Sequence, residues 1–190
     1  MTMHHSEYID RKFEDLGINP EQANMVFFWG HRAKNANTID KACCSQWWSS
    51  SFTLNGYNFV NAEQAMMHGK ALLFNDKEIA EKILSESDPK QIKALGKQVK
   101  GFNDAIWYQN HYKLILEINS AKFSQDAALR AWLLNHPNNT VFVEASPYDG
   151  LWGIKQKNDG QLNLTNIAHW QGFNKLGFAI TEVLQNLKQV

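Results

Sequence analysis

From Asn61 onward the apolar residues recur at helical spacing. Ala65, Met66, Leu72 and Leu73 mark a helix over 61–74, and Ile79, Ala80, Ile83 and Leu84 a second over 76–86. Asp88 before Pro89 predicts the start of a third, because Asp caps free N–H groups and Pro fits the first turn. Ile106, Trp107, Leu114, Ile115 and Ile118 line the longest helix, 103–122, and Ser124 is the expected cap of the next, QDAALRAWLLNH. An amphipathic helix over Asn174–Lys188 closes the chain, and a short polar one, Ser6–Leu16, opens it before Gly17 and Pro20.

Two denser apolar runs, MVFFWG (Met25–Gly30) and TVFV (Thr140–Val143), predict buried strands, and Asn55-Gly56 predicts a tight turn. Between Lys34 and Ser51 the chain is irregular and polar apart from Trp47-Trp48. There is no internal repeat or Pro/Gly-rich linker. The expectation is a mainly α (α+β) chain: a helical extension over 1–24, then a single compact domain over 25–190, with about six or seven helices in all and a small β element.

At 190 residues with 44% hydrophobic positions, the chain can bury a core without disulfides or metals. Lys plus Arg and Asp plus Glu both total 19, which removes the basic footprint of a protein that tracks along duplex nucleic acid. The two cysteines, Cys43 and Cys44, are adjacent and fit a reduced, cytoplasmic protein. No segment reads as a signal peptide or a membrane span. The seven histidines form no HxxxH or HExxH pair, and there is no CxxC, GxGxxG, Walker loop or GxSxG elbow. Neither a metal nor a cofactor is expected. A nucleophilic role for Cys43 or Cys44 lacks a nearby base.

Candidate chemistry falls in two places. Glu63 and Lys70, seven positions apart on one helix, lie within about 20° of the same face and about 10 Å apart along the axis. Both can point into one groove, or both can be solvated residues of an exposed face. Further on, the strand ends at Glu144, and the loop after it carries Asp149 and Trp152, with Gly150 and Gly153 allowing close backbone approach. Paired carboxylates suit acid/base work, and tryptophans (Trp48, Trp107 and Trp152 among seven) serve either as packing or as stacking platforms for a base.

Taken in order, these segments resemble the NADAR domain, the YbiA-like N-glycosidase family, from about Met25 to Leu187. FFWG followed by SQWW (Ser45–Trp48) is similar to the family's opening strand and its Ser-Asn-Phe motif. NGYNFVNAEQAMMHGKA resembles the helix that carries its marked glutamate and lysine, here Glu63 and Lys70. DPKQIKALGKQVKGFNDAIW, ending at Trp107, then AKF, VEASPYDGLWG and NKLGFAITEV complete the resemblance. Three features depart from it: SQWW itself, HGK before the lysine, and Lys175 where an arginine often follows the asparagine, here Asn174. Lys175 would meet a phosphate as a point charge rather than a fork.

The resemblance implies hydrolysis of an N-glycosidic bond between ribose and a base or amine. The implied substrates are phosphoribosylamino-pyrimidine intermediates of riboflavin synthesis, or ADP-ribose on guanine in DNA. Such cleavage builds positive charge on the sugar and negative charge on the leaving nitrogen, so carboxylates near C1, a proton source and aromatic walls are needed. Glu63 and Asp149 are the expected catalytic carboxylates. Lys70 is expected to bind phosphate or, as a free amine, to attack C1 and form a Schiff base. Trp48, Trp107, Lys122, Glu144, Trp152, Gly153, Asn174 and Lys175 are the expected substrate-binding residues. The ligand is then a small phosphorylated ribosyl or ADP-ribosyl compound, with modified guanine in DNA as its larger form and no membrane partner. A nucleotide-binding module without catalysis is the rival reading.

Overall fold

Capping side chains delimit most of the helices. The computed structural model describes residues 4–35 and 38–189. Asn61, Asp76, Asp88 and Asn103 each accept a backbone N–H from the first turn of the helix they precede, which supplies a partner that the helix itself lacks. These helices are α2 (Ala62–Leu73), α3 (Lys77–Ser85), α4 (Pro89–Lys97) and α5 (Asp104–Gln125), after α1 (His5–Leu16). The next boundary departs from expectation. Ser124 lies inside α5 and donates to the Ala121 carbonyl, while Asp126 accepts from Ala128 and Leu129 at 2.9 and 3.0 Å and so caps α6 (Ala127–Leu134). An ionised carboxylate is the stronger acceptor for the free N–H groups of a first turn, and α5 keeps its last turn. With α7 (Lys175–Lys188), the described residues contain seven α-helices and four short strands, the mainly α arrangement expected.

The chain forms two compact units. One comprises the residues up to Cys44 and those from Trp132 onward; the other runs from Ser45 to Ala131.

In the first unit, β1 (Asn24–Phe28) and β4 (Thr140–Glu144) pair in parallel, with Asn24 opposite Thr140 and Phe28 opposite Glu144. α7 packs on β4, and Val141, Phe142 and Val143 are fully buried. Cover on both faces is why this stretch reads as an unbroken apolar run instead of an alternating one. The first helix is part of this core: Ile9, Phe13 and Leu16 pack with Val141, Val143, Trp170 and Phe178.

In the second unit, β2 (Phe52–Leu54) and β3 (Tyr57–Phe59) form an antiparallel hairpin. Asn55 and Gly56 turn it with φ of 52° and 82°, the left-handed pair that a two-residue hairpin turn requires. α2 packs against α3, α4 and α5 over a core of Ala71, Ile79, Ala80, Ile83, Ile92 and Val99. Buried Gln64 braces α2 against the end of α3: its amide donates to the Ile83 and Glu86 carbonyls at 3.0 and 2.8 Å, and its oxygen accepts from Val60 N–H at 2.9 Å.

Candidate active site

In the second unit the candidate residues sit around a buried polar cluster at the start of α2. Glu63 is only 4% exposed, unusual burial for a carboxyl side chain. Its backbone N–H donates to the Gln46 carbonyl at 2.9 Å, and the Gln46 amide reaches Asn119 Oδ1 on α5 at 3.2 Å. Lys122, one turn beyond Asn119, is fully buried and donates from Nζ to the Ser45 carbonyl at 2.8 Å. Ser45 also accepts the N–H of Trp48, which is half-buried. The Ser45–Trp48 turn is therefore held between the first turn of α2 and the last two turns of α5. Burying charged and amide groups together is costly unless they satisfy one another, and such clusters concentrate at functional sites. Gln46 Oε1 is buried with no hydrogen-bond partner among the described residues.

Lys70 lies almost two turns along α2, where three other elements meet it. Its Nζ donates to the Gly96 carbonyl in the last turn of α4 at 2.8 Å, and lies 4.4 Å from the centre of the Phe102 ring. Burial lowers its pKa from the ordinary lysine value, and the Asp104 carboxylate on α5 partly opposes this. Trp107 follows Asp104 on α5 and is half-buried, with its ring 5.7 Å from that of His111. His68, between Glu63 and Lys70 in sequence, is buried against the rings of Tyr57 and Phe59, and burial lowers its pKa.

The first unit gathers the remaining candidates. β4 ends at Glu144, and the loop beyond is closed by Ile154 N–H donating to the Glu144 carbonyl at 2.9 Å. Inside it Ser146 Oγ accepts from the N–H groups of Tyr148 and Asp149. Asp149 Oδ1 in turn accepts from Leu151 and Trp152 at 2.9 and 2.8 Å, so one carboxylate oxygen organises the turn. Gly153 and Gly172 let backbones touch: a β-carbon on Gly153 would lie 2.6 Å from the Glu144 carbonyl oxygen, and one on Gly172 would collide with that of Gly153.

The start of α7 closes on this loop. The N–H groups of Phe173, Asn174, Lys175 and Leu176 donate to the carbonyls of Gly150, Gly153, Leu151 and Trp152. The loop main chain thus supplies the acceptors that a capping side chain usually provides. That frees the Asn174 amide for β4, where it accepts from Glu144 N–H and donates to the Phe142 carbonyl. Lys175 is 2% exposed, its Nζ 5.2 and 5.3 Å from the ring centres of Tyr8 and Phe173. Burial, with a smaller contribution from Lys12, lowers its pKa to about 8.

The sequence-predicted residues thus form two sets: Trp48, Glu63, Lys70, Trp107 and Lys122 in the second unit, and Glu144, Asp149, Trp152, Gly153, Asn174 and Lys175 in the first. Sequence reasoning missed Asn119, Gly96 and Phe102. Asn119 is a polar residue one turn after Ile115 and next to Ile118 on the apolar side of its helix, which is a usable signal; the other two carry none that periodicity reveals. Among the described residues no group of His, Cys, Asp and Glu is placed to hold a metal ion, and no helix is long and apolar enough to cross a membrane.

Comparison with known proteins supplies the context. The NADAR domain profile matches residues 27–188. The chain is 38% identical over 174 residues to a protein of Acanthamoeba polyphaga mimivirus named N-glycosidase R617, covering 89% of this chain and 99% of that protein. It is 34% identical over 131 residues to Protein irg-1 of Caenorhabditis elegans, covering 68% of this chain and 61% of that one. The fold is similar to the NMR structure of the E. coli protein YbiA, with a TM-score of 0.68, 22% identity, and coverage of 88% of this chain and 87% of that one.

Proposed function

Because the chain belongs to the NADAR family, we propose that it is an N-glycosidase, a hydrolase of the C1–N bond between a ribose and a base or amine. The observation that carries this reading is the match to a named N-glycosidase along nearly that protein's entire length. Supporting it, the glutamate and lysine that the family resemblance marks are a buried carboxylate and a lysine with weakened hold on its proton. A purely structural surface helix needs neither.

In this reading Glu63 stabilises the cationic ribose, and Lys70 acts as the nucleophile. The neutral amine of Lys70 bonds to C1 as the C1–N bond breaks, and the leaving nitrogen takes up a proton. Opening of the sugar ring gives a protonated Schiff base, which water hydrolyses to the free sugar and the original amine. Asp149 is assigned as a second catalytic carboxylate through the oxygen that does not hold the turn. Binding of base, sugar and phosphate is assigned to Trp48, Trp107, Lys122, Glu144, Trp152, Gly153, Asn174 and Lys175. Burial restricts Lys122 and Lys175 to acting on phosphate through their field.

The substrate is a phosphorylated ribosyl compound: a phosphoribosylamino-pyrimidine of riboflavin synthesis, or ADP-ribose on guanine. The zero formal net charge favours a small molecule or a single extruded nucleotide over extended duplex. The test is incubation with the riboflavin intermediate, ADP-ribosylated guanine oligonucleotide, ADP-ribose and NAD, with released base or free sugar followed by chromatography. Turnover of either of the first two is expected. Binding without product from any of the four would replace the enzyme with a nucleotide-binding module.

A further inference from the structure

The Lys70 amine is more elaborately held than a surface lysine requires. The Gly96 carbonyl that accepts its proton lies in the last turn of α4, where helix carbonyls lack intrahelical partners and carry the negative end of the dipole. The Phe102 ring covers Nζ at 4.4 Å and is itself backed by Phe74, with ring centres 5.1 Å apart. Phe102 is nevertheless 41% exposed, so core packing alone does not account for its position.

We propose that Phe102 is a positioning residue for Lys70, holding the amine on the Gly96 carbonyl, covering it from water, and so controlling its reactivity. The inference rests on the catalytic role assigned to Lys70 only for its consequence in turnover.

A ring face over an ammonium does two opposite things. Its quadrupole favours the charged form, while its bulk removes water and disfavours it. The Gly96 carbonyl and Asp104 both favour the charge, yet burial prevails and the lysine pKa is lowered. Of the other charged groups on the helices packed against α2, Lys93 lies over the Trp47 ring, Glu78 pairs with Lys82 and Lys100, Lys113 pairs with Glu117, Lys122 donates to the Ser45 carbonyl, and Lys77, Glu81, Lys90 and Lys97 are exposed. The ring, the Gly96 carbonyl and the Asp104 carboxylate are therefore the local controls on this amine.

The two actions of the ring separate by substitution. Phe102→Leu keeps apolar cover and removes the ring face, so the amine loses its proton more readily. Phe102→Ala admits water, so the amine holds its proton more tightly. The experiment is competitive acylation of the whole protein with acetic anhydride from neutral to alkaline pH. Mass spectrometry of the Lys70 peptide then gives the pH midpoint rather than an accessibility-dependent rate. The Leu variant is expected to shift the midpoint down and the Ala variant up, each by roughly 0.7 pH units, about a fivefold change in free amine near neutral pH. Thermal unfolding of both variants is expected to stay close to wild type. Shifts in the same direction, or a Lys70 midpoint unchanged in both, would overturn the proposal. No substrate is involved, so absence of hydrolysis would count against the N-glycosidase reading and leave this one standing.

Discussion

Asn174 Oδ1 accepts the backbone N–H of Glu144 at 2.9 Å, and its amide nitrogen donates to the Phe142 carbonyl at 3.0 Å. One side chain thus stands in for a neighbouring strand along β4. It does so from a left-handed backbone, φ 52°, that asparagine tolerates better than most residues. Asn174→Ala is expected to cost about 3 kcal/mol, since it orphans two main-chain groups. Urea denaturation measures this, and a midpoint equal to wild type would show that the amide does not hold the sheet edge.

Glu63→Gln keeps size and removes charge at the buried start of α2. We expect turnover to fall by at least about 100-fold with folding unaltered, as for loss of a group acting on transition-state charge. Release of base from a verified substrate is the measurement. A wild-type rate would remove Glu63 from the chemistry.

Lys70 makes the covalent step visible. Borohydride added during turnover is expected to leave a sugar adduct on the Lys70 peptide, and Lys70→Ala to abolish both adduct and product. Product formation by Lys70→Ala without any adduct would eliminate the Schiff-base route while sparing hydrolysis itself.

Asp149 combines a structural task with a proposed chemical one, and two substitutions part them. Asp149→Ala loses both N–H acceptances from Leu151 and Trp152 and is expected to cost about 2 kcal/mol. Asp149→Asn retains an oxygen for the turn, so it should fold near normally and lose activity. An Asn variant as active as wild type would leave Asp149 with the turn alone.

Lys175 links stability to pH. Its folded pKa is about 8 against an ordinary value of 10.5, because burial disfavours the charged form. Below pH 8 both states hold the proton and the folded state bears the cost. Between about pH 8 and 10.5 the unfolded chain keeps a proton that the folded one has released, so stability rises with pH. The full effect is on the order of 3 kcal/mol. Lys175→Met is expected to lose this component, so unfolding free energies of the two proteins should converge as pH rises from 7 to 10.5. Parallel curves would show that Lys175 titrates normally.

Several local signals were read correctly where a residue acts on its own neighbourhood. Asp88 caps the helix that follows it, and Asn55-Gly56 turns the hairpin, because capping and left-handed φ depend on a few adjacent residues. Ser124 failed as a cap because Asp126, two residues later, is the stronger acceptor, and nothing in apolar spacing ranks the two. The first helix read as an appendage since its sequence is polar, yet three apolar residues sufficed to anchor it in the core.

The sequence by itself determined the helices, the two apolar strands and the family, and it supplied the residues to which chemistry is proposed, all carried by short-range patterns and ordered motifs. Tertiary structure alone decided that β1 pairs in parallel with β4 more than a hundred residues away, that the Asn174 amide serves β4 and not its own helix, and that Lys70 rests between Gly96 and Phe102. Each of these depends on groups distant in sequence meeting in space, and on burial, which no local pattern encodes.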